Sequence, residues 1–401
     1  MLTEWYGERI DIKMKNYTDY LIELLICAIS GAEPPKPCFD IDLDKLFKLA
    51  KFHAVENIVY VSLKKLDMPK CEAMERFKKQ YMYSIFAHEQ QQAQTKRVID
   101  CFEKNKIKHC VMKGAVIKNL YPSPEMRISS DVDIFVFGAD GEQEKVLMQS
   151  LGFEIKAYDE SLAHNEYVID NVIFEIHKQL ISNKCPWDKK CQEIEKRLIP
   201  TKDYNYRYEM STEDYYLYMI AHMAKHMKYS GIGVKMFLDV WLYNKYYESV
   251  MDKELLDSRL KYCGLDVFND NVKKLCNYWF EKDATYDMSI MAQYVFSSGK
   301  FGTHKQLVSS EMAKNAIGTD NGFVGKIISI IKMFFLPYKK MSHIYPVLKK
   351  YPPLLPIMWI YRCFNLIFNA KTKSEKIKKK YGVADIEYGK KINEFKKSIG
   401  L

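Results

Sequence analysis

The chain has 401 residues, of which 48% are apolar, 28% charged and 14% aromatic. Its length allows two or three domains with hydrophobic cores, and its composition excludes a disordered, fibrous or disulfide-stapled protein. Only 17 glycines and 13 prolines are present, so we expect an α+β fold in which helices predominate.

The cysteines and the charges bear on where the protein works. None of the ten cysteines belongs to a CxxC pair, and the N-terminal segment lacks the apolar core of a secretory signal. We therefore expect free thiols and a cytoplasmic protein. No run of about 18 apolar residues is free of charge and proline, so no membrane span is expected. The net charge is +10, but residues 321–401 hold 17 Lys and Arg against 4 Asp and Glu, so the basic character belongs to the C-terminal part.

The spacing of apolar residues predicts four parts. Helical spacing indicates an N-terminal helical region over residues 1–100. Short β-like runs that alternate with helices predict an α/β core over residues 101–200, with a hairpin turn at Asp170. A helical domain follows over residues 201–320, and residues 321–401 are predicted to be a basic helical C-terminal region. The expected architecture is a small mixed β-sheet flanked by N-terminal and C-terminal helical regions.

A predicted strand at residues 107–112 leads into Lys113 and Gly114, where a short helix is expected to begin. Backbone N–H groups at such a junction, with a lysine beside them, suit an anion such as phosphate. Arg127 lies four residues before the next acidic motif, and its guanidinium can bind phosphate oxygens through two N–H groups. An ordinary surface cation is the competing interpretation of Lys113 and of Arg127.

The main chemical signal is the pair Asp131 and Asp133 on a predicted strand. Side chains two apart on a strand point to the same face, so the two carboxylates converge, as the ligands of a divalent cation do. Glu175 lies on a later strand. If that strand runs antiparallel beside the first, the three carboxylates can hold one or two Mg²⁺ ions, an arrangement suited to phosphoryl or nucleotidyl transfer. Two solvated acids at a strand end are the alternative interpretation of the Asp-x-Asp pair.

Residues further along the chain can line the same cleft. His177 shares the strand face of the glutamate and can orient its carboxylate, touch a phosphate or pack in the core. His222 and His226 are four apart on a predicted helix, so they share one face, directed either to the cleft or to the core. A zinc pair is disfavoured because no third ligand is evident. Lys235 and Asp239 have the same spacing, which also suits an intrahelical ion pair.

These motifs follow one another in the order found in one protein family. The segments MKGAVIKNLYPSPEMRISSDVDIFV, FEIHKQL and HMAKHMKYSGIGVKMFLDV resemble the largely uncharacterised nucleotidyltransferases of the polymerase-beta-like superfamily. With the preceding AKFHAVENIVYVSL, the resemblance extends over about residues 45–245. Two positions depart from the pattern. Ala115 follows Gly114 where the superfamily usually has glycine or serine, and Lys235 stands where the family often has arginine.

The resemblance implies a reaction and roles for named residues. An acceptor hydroxyl, on a small molecule or on a protein or peptide, would attack the α-phosphate of a nucleoside triphosphate, and pyrophosphate would leave. Asp131 and Asp133 would ligate Mg²⁺ (or Mn²⁺), and Glu175 would complete the site as a metal ligand or as the general base. The implied phosphate-binding residues are Lys113, Gly114 and Arg127. The candidate acceptor pocket consists of His177, His222, His226, Lys235 and Asp239.

Two other functions compete with this hypothesis. One is a catalytically silent nucleotide-binding module or scaffold that docks through its basic C-terminal region. The other is a glycosyltransferase, in which an Asp-x-Asp pair holds a metal and a sugar nucleotide. The glycosyltransferase is the weaker enzyme hypothesis, because such a domain needs more α/β chain before the motif than the helical N-terminal region leaves.

The basic C-terminal region has its own alternatives. One is peripheral contact with an anionic membrane, another is contact with the acidic face of a partner, and a third is a helix bundle with a solvated basic end. Nucleic acid is not favoured as a partner, because no recognised binding module is visible and the aromatic residues lie among aliphatic ones rather than between the lysines.

Overall fold

The computed structural model describes residues 12–138, 141–158, 164–181, 185–300, 302–315, 331, 335–368 and 386–401. Within these ranges the chain forms two compact units. The first comprises residues 12–226, 232–300 and 400, and the second comprises residues 227–231, 302–399 and 401. The finer division into four parts stays a prediction. All ten cysteines are free thiols, as predicted.

Helices come before and after the strands of the first unit in the sequence, which confirms the predicted α+β class. An aspartate at the start of the second helix accepts hydrogen bonds from two backbone N–H groups, and so caps it. The helices before and between the strands are α1 (Ile12–Ser30), α2 (Leu43–Phe52), α3 (Glu56–Leu63), α4 (Glu72–Lys104), α5 (Gly114–Ile117), α6 (Gly141–Ser150) and α7 (Asp188–Cys191). Those that follow are α8 (Thr212–Tyr229), α9 (Val234–Tyr247), α10 (Lys253–Cys263), α11 (Asp266–Phe280) and α12 (Ser289–Ser298).

The described residues form a sheet of seven strands, and its pairing is mixed, as predicted. The strands are β1 (Lys108–Val111), β2 (Asp131–Phe137), β3 (Glu154–Ala157), β4 (His164–Ile169), β5 (Val172–His177), β6 (Ile199–Pro200) and β7 (Arg207–Glu209). Their spatial order is β3-β4-β5-β2-β1-β7-β6. Between β4 and β5 the predicted hairpin turn is present. Asp170 and Asn171 have φ of 48° and 64°, the left-handed conformations that a two-residue turn of this kind requires.

The antiparallel pairing expected between the strands of Asp131 and Glu175 is wrong. Strands β2 and β5 are parallel neighbours, because the chain passes through α6, β3 and β4 before it returns beside β2. The register nevertheless places Asp133 directly opposite Glu175. A parallel pair therefore brings the carboxylates together at the same level of the sheet.

Alternation along β2 and β5 separates a core face from a polar face. Val132 and Ile134 on β2, and Phe174 and Ile176 on β5, are buried in one hydrophobic cluster. Side chains from α4 and α6 pack into the same cluster. Because successive side chains of a strand point to opposite faces, the residues between these four lie together on the other face. The hydrophobic core thus fixes the orientation of the acidic residues.

The second unit is helical in its described parts. It contains α13 (His304–Asn315), α14 (Tyr338–Ile344), α15 (Val347–Lys350), α16 (Leu355–Phe368) and α17 (Ile386–Ser398). Helix α17 lies so close to α13 that a Cβ at Gly389 would overlap the carbonyl group of Ser309. The lysine-rich run KTKSEKIKKK, residues 371–380 of the predicted basic C-terminal region, lies outside the described residues. Among the helices that the structure does describe, none is long and apolar enough to cross a membrane.

Candidate functional site

The polar face of β2 and β5 carries the predicted acidic triad. Asp131 and Asp133 share this face, and Glu175 joins them from the neighbouring strand, opposite Asp133. Asp133 is buried, whereas Asp131 and Glu175 are partly exposed. The structure therefore places three carboxylates on one face of two neighbouring strands.

Asp133 is held by two positively polarised groups. Lys113 Nζ donates to Asp133 Oδ1 at 2.5 Å, and His177 Nε2 lies 2.8 Å from the same oxygen. Burial by itself would raise the pKa of Asp133, but Lys113 and His177 outweigh burial and hold this pKa well below its ordinary value. The Asp133 carboxylate is therefore ionised at neutral pH.

Lys113 is fixed at both of its ends. Its backbone has φ of 49°, a conformation that is uncommon outside glycine and needs support from its surroundings. Tyr215 on α8 gives that support, because its hydroxyl donates to the Lys113 carbonyl at 2.8 Å. At the next position, a Cβ on Gly114 would overlap the Ser129 hydroxyl. A side chain at this position would therefore require the Ser129 side chain to move.

The negative charge of Asp131 is poorly balanced by nearby positive charge. Burial is the largest cause of its raised pKa, and the charges of Asp133 and Glu175 add to it. Lys113 and Lys300 oppose this rise without cancelling it. Carboxylate oxygens with too little positive charge beside them are the donors that a hard divalent cation prefers, so the chemistry of these three residues suits Mg²⁺ or Mn²⁺.

Arg127 and Asp239 form a buried ion pair. Arg127 Nε and Nη2 donate to the two carboxylate oxygens of Asp239 at 2.8 and 2.7 Å, and Tyr121 donates its hydroxyl to the same carboxylate at 2.8 Å. Burial disfavours the charged guanidinium, but Asp239 overcomes it and raises the pKa of Arg127. The Arg127 guanidinium, which the sequence analysis assigns to phosphate, therefore binds the Asp239 carboxylate in this structure.

The side chain of Lys235 also binds another group of the protein. Its Nζ donates to the carbonyl of Ile128 at 3.1 Å, and burial, followed by the nearby charge of Arg127, lowers its pKa well below the ordinary lysine value. The intrahelical ion pair considered for Lys235 and Asp239 is replaced by contacts of both residues with the segment before β2. Helix α9 is thereby attached to the strand that carries the aspartates.

The predicted histidine pair on α8 is in contact. His222 Nε2 and His226 Nε2 are 3.1 Å apart, so one ring donates to the other, which requires at least one neutral imidazole. Burial lowers the pKa of His226 to about 4, with smaller effects of Lys225 and Lys113. Burial, followed by Lys113, also lowers the pKa of His222. The pair is therefore neutral at pH 7 and lies within the electrostatic range of Lys113.

Four residues at or near the acidic face were not found from the sequence. His164 and Glu166 lie on β4, next to β5, and His164 Nε2 is 3.6 Å from Glu166 Oε1 and 3.8 Å from Glu175 Oε1. Their His-x-Glu alternation on the first arm of the predicted hairpin is the signal that could have found them. Tyr215 lies on α8 and Lys300 in the turn after α12, both distant in sequence, and no local pattern marks them.

Comparison with known proteins identifies the family. A family model described as uncharacterised nucleotidyltransferase matches residues 40–281, more than half of the chain, and the chain belongs to this family. The match covers the whole acidic face and helices α8 and α9, and it gives the protein a general role in nucleotidyl transfer with a nucleoside triphosphate as substrate. No curated protein and no solved structure matches the chain.

The histidine pair predicts a pH dependence of stability. The pKa of His226 is about 4 in the folded chain and about 6.5 in an unfolded one, so the unfolded state binds more protons between these values. Stability is therefore lost as pH falls through this window. Between about pH 7.5 and pH 5 the loss from this one group is about 2 kcal/mol.

Urea unfolding of the wild type and of His226→Gln at both pH values measures this loss. We expect the variant to lose less stability on acidification, with a difference near this value. Equal losses in the two proteins would contradict the assignment of a neutral buried His226.

Proposed function

We propose that the protein transfers a nucleoside monophosphate from a nucleoside triphosphate to an acceptor hydroxyl and releases pyrophosphate. The observation that carries the proposal is the register of β2 and β5, which sets Glu175 opposite Asp133 with Asp131 on the same face. Family membership supports the reaction class. The acceptor is an unidentified small molecule or a protein or peptide hydroxyl.

Asp131, Asp133 and Glu175 are the residues that would hold Mg²⁺ or Mn²⁺. A divalent cation at such a site supplies Lewis-acid polarisation of the phosphate oxygens and compensates the charge of the triphosphate. The poorly balanced negative charge of Asp131 supports this assignment, since its raised pKa comes from burial and from the two neighbouring carboxylates.

The side chains around the triad have distinct roles in the proposal. Glu175 accepts the proton of the acceptor hydroxyl, or binds the metal, and His177 orients it from 3.3 Å. Lys113 keeps Asp133 ionised and places its positive charge where the phosphates arrive. Arg127 is a positioning residue that does not contact phosphate. Its ion pair with Asp239 holds the segment before β2 against α9.

The acceptor pocket is proposed on the side of α8. His222 and His226 are neutral, close to Lys113, and only partly exposed. Neutral imidazoles can accept or donate a hydrogen bond to an acceptor hydroxyl without adding charge. Lys235 and Asp239, whose contacts lie within the protein, support the pocket wall.

Loss of Asp131 should abolish transfer with little effect on folding. Asp131→Asn removes a charge whose burial is already unfavourable, and we expect a rate at least about 100-fold below wild type. Asp170→Asn is the matched control, because Asp170 is an exposed aspartate in the hairpin turn of the same sheet. It should keep full activity.

The assay uses each common nucleoside triphosphate, labelled on the α-phosphate, with Mg²⁺ or Mn²⁺ and a cell extract as the source of acceptor. Release of pyrophosphate with label in a product, lost in Asp131→Asn, supports transfer. Nucleotide binding without turnover by any donor favours the silent module. A sugar nucleotide is offered as a separate donor, and turnover confined to it favours the glycosyltransferase and contradicts the proposal.

We also propose that the second unit contacts an anionic membrane surface through α16. Four bulky apolar side chains on this helix are between 53% and 60% exposed, namely those of Ile357, Ile360, Tyr361 and Phe364. Their spacing of three and four places them on one helical stripe, and interfacial helices bury such a stripe among lipid chains.

The charge around this stripe favours anionic lipid. Lys340, Lys349 and Lys350 are exposed in the same unit, and residues 321–401 carry 17 basic residues against 4 acidic ones. Each basic residue near an anionic bilayer contributes roughly 1 kcal/mol to binding. The opposite side of α16 is packed, since Trp359 donates its indole N–H to the Leu336 carbonyl at 2.8 Å.

Vesicle flotation tests this contact. The protein should bind vesicles of phosphatidylcholine mixed with phosphatidylserine more tightly than vesicles of phosphatidylcholine alone. Phe364→Glu should weaken binding at least about tenfold, because a buried aromatic side chain contributes roughly 1.5–3 kcal/mol. Ile290→Glu, at a position 68% exposed on α12, is the matched control and should bind as wild type does.

Two results would contradict the membrane contact. One is equal binding of the wild type and Phe364→Glu. The other is absence of vesicle binding with a dimer that Phe364→Glu dissociates, which would assign the stripe to a second copy of the chain.

A further inference from the structure

A second group of metal-ligating side chains lies beside Glu175, away from Asp131. His164 on β4 is the direct partner of His177 on β5, and their rings are 5.0 Å apart. Both Nε2 atoms point to the carboxylate between them, with His177 Nε2 3.3 Å from Glu175 Oε2 and His164 Nε2 3.8 Å from Glu175 Oε1. One ligand atom from each residue lies within 4.8 Å of the others.

These three residues offer a different kind of site from the aspartates. Two imidazole nitrogens and one carboxylate are ligands that zinc and other divalent transition metals prefer, whereas Mg²⁺ selects oxygen ligands in an octahedral arrangement. We infer that His164, Glu175 and His177 form a transition-metal site that takes Zn²⁺, Co²⁺ or Mn²⁺ in preference to Mg²⁺.

The distances are compatible with metal binding after a small contraction. Ligand atoms about 2.0–2.2 Å from a tetrahedral zinc ion are separated by about 3.3–3.6 Å. The two histidine nitrogens lie 3.3 and 3.8 Å from the Glu175 oxygens, and one ligand atom of each residue lies within 4.8 Å of the others. The hairpin supplies rigidity, since His164 and His177 are fixed by cross-strand pairing. The side chain of His164 is 31% exposed, so an ion can enter from that side.

Two further carboxylates lie close to the same Nε2 atoms. Asp133 Oδ1 lies 2.8 Å from His177 Nε2, and Glu166 Oε1 lies 3.6 Å from His164 Nε2. Lys156 pairs with Glu166 at 2.9 Å. A cation bound to these nitrogens would replace the hydrogen bond from His177 to Asp133, and the nearby carboxylates would balance its charge. The arrangement also explains why His164 and Glu166 alternate on the face of β4 that continues the acidic face of β5.

Direct metal binding tests the inference without nucleotide. After treatment with a chelator, the wild type should bind one equivalent of Co²⁺ or Zn²⁺ in equilibrium dialysis, and bound Co²⁺ should show the visible absorption of a nitrogen-ligated ion. His164→Gln should reduce the affinity at least about tenfold. His88→Gln, at a partly exposed histidine on α4, is the matched control. His164→Cys should retain Zn²⁺ binding, because a thiolate replaces the imidazole.

The inference shares Glu175 with the proposed function, but the two can fail separately. Asp131→Asn should keep the Co²⁺ signal while it loses nucleotidyl transfer. The inference is overturned if the wild type binds no Co²⁺ or Zn²⁺, or if His164→Gln binds them as tightly as the wild type. It is also overturned if Mg²⁺ competes equally, and none of these results alters the pyrophosphate assay.

Discussion

The buried charge of Asp133 is the constraint on which the candidate site depends. An unpaired carboxylate at this position would cost several kcal/mol, so it requires nearby positive charge. Lys113, just after β1, provides it, and His177 on β5 adds a hydrogen bond to the same oxygen. Tyr215 on α8 in turn holds the Lys113 backbone. One buried carboxylate therefore ties two other strands and a helix to β2, and the triad takes its geometry from this arrangement.

Much of the strand and helix geometry of the candidate site could be predicted from local sequence. Asp131 and Asp133 alternate with buried valine and isoleucine, which fixes their common face whatever the neighbouring strand is. The hairpin that carries Glu175 was predicted from two β-like runs around Asp170. The spacing of His222 and His226 likewise predicted one helix face. Such predictions succeed because periodicity and turn chemistry act over a few residues.

Contacts between distant segments could not be predicted in the same way. The pairing of β2 with β5 is parallel because two strands and a helix lie between them, and nothing local to Glu175 encodes that direction. The partner of Arg127 is Asp239, on a helix more than one hundred residues later. Spacing suggested an ion pair between Lys235 and Asp239, but the packing of α9 against the segment before β2 gives both residues other partners.

The central claim is that the acidic face binds nucleotide together with a divalent cation. Isothermal titration with a non-hydrolysable nucleoside triphosphate analogue, with and without Mg²⁺, tests it most directly. We predict tight binding to the wild type with the metal present, and weak binding both in its absence and in Asp131→Asn. Equal affinity with and without Mg²⁺, unchanged in Asp131→Asn, would show that nucleotide binds elsewhere and would contradict the account.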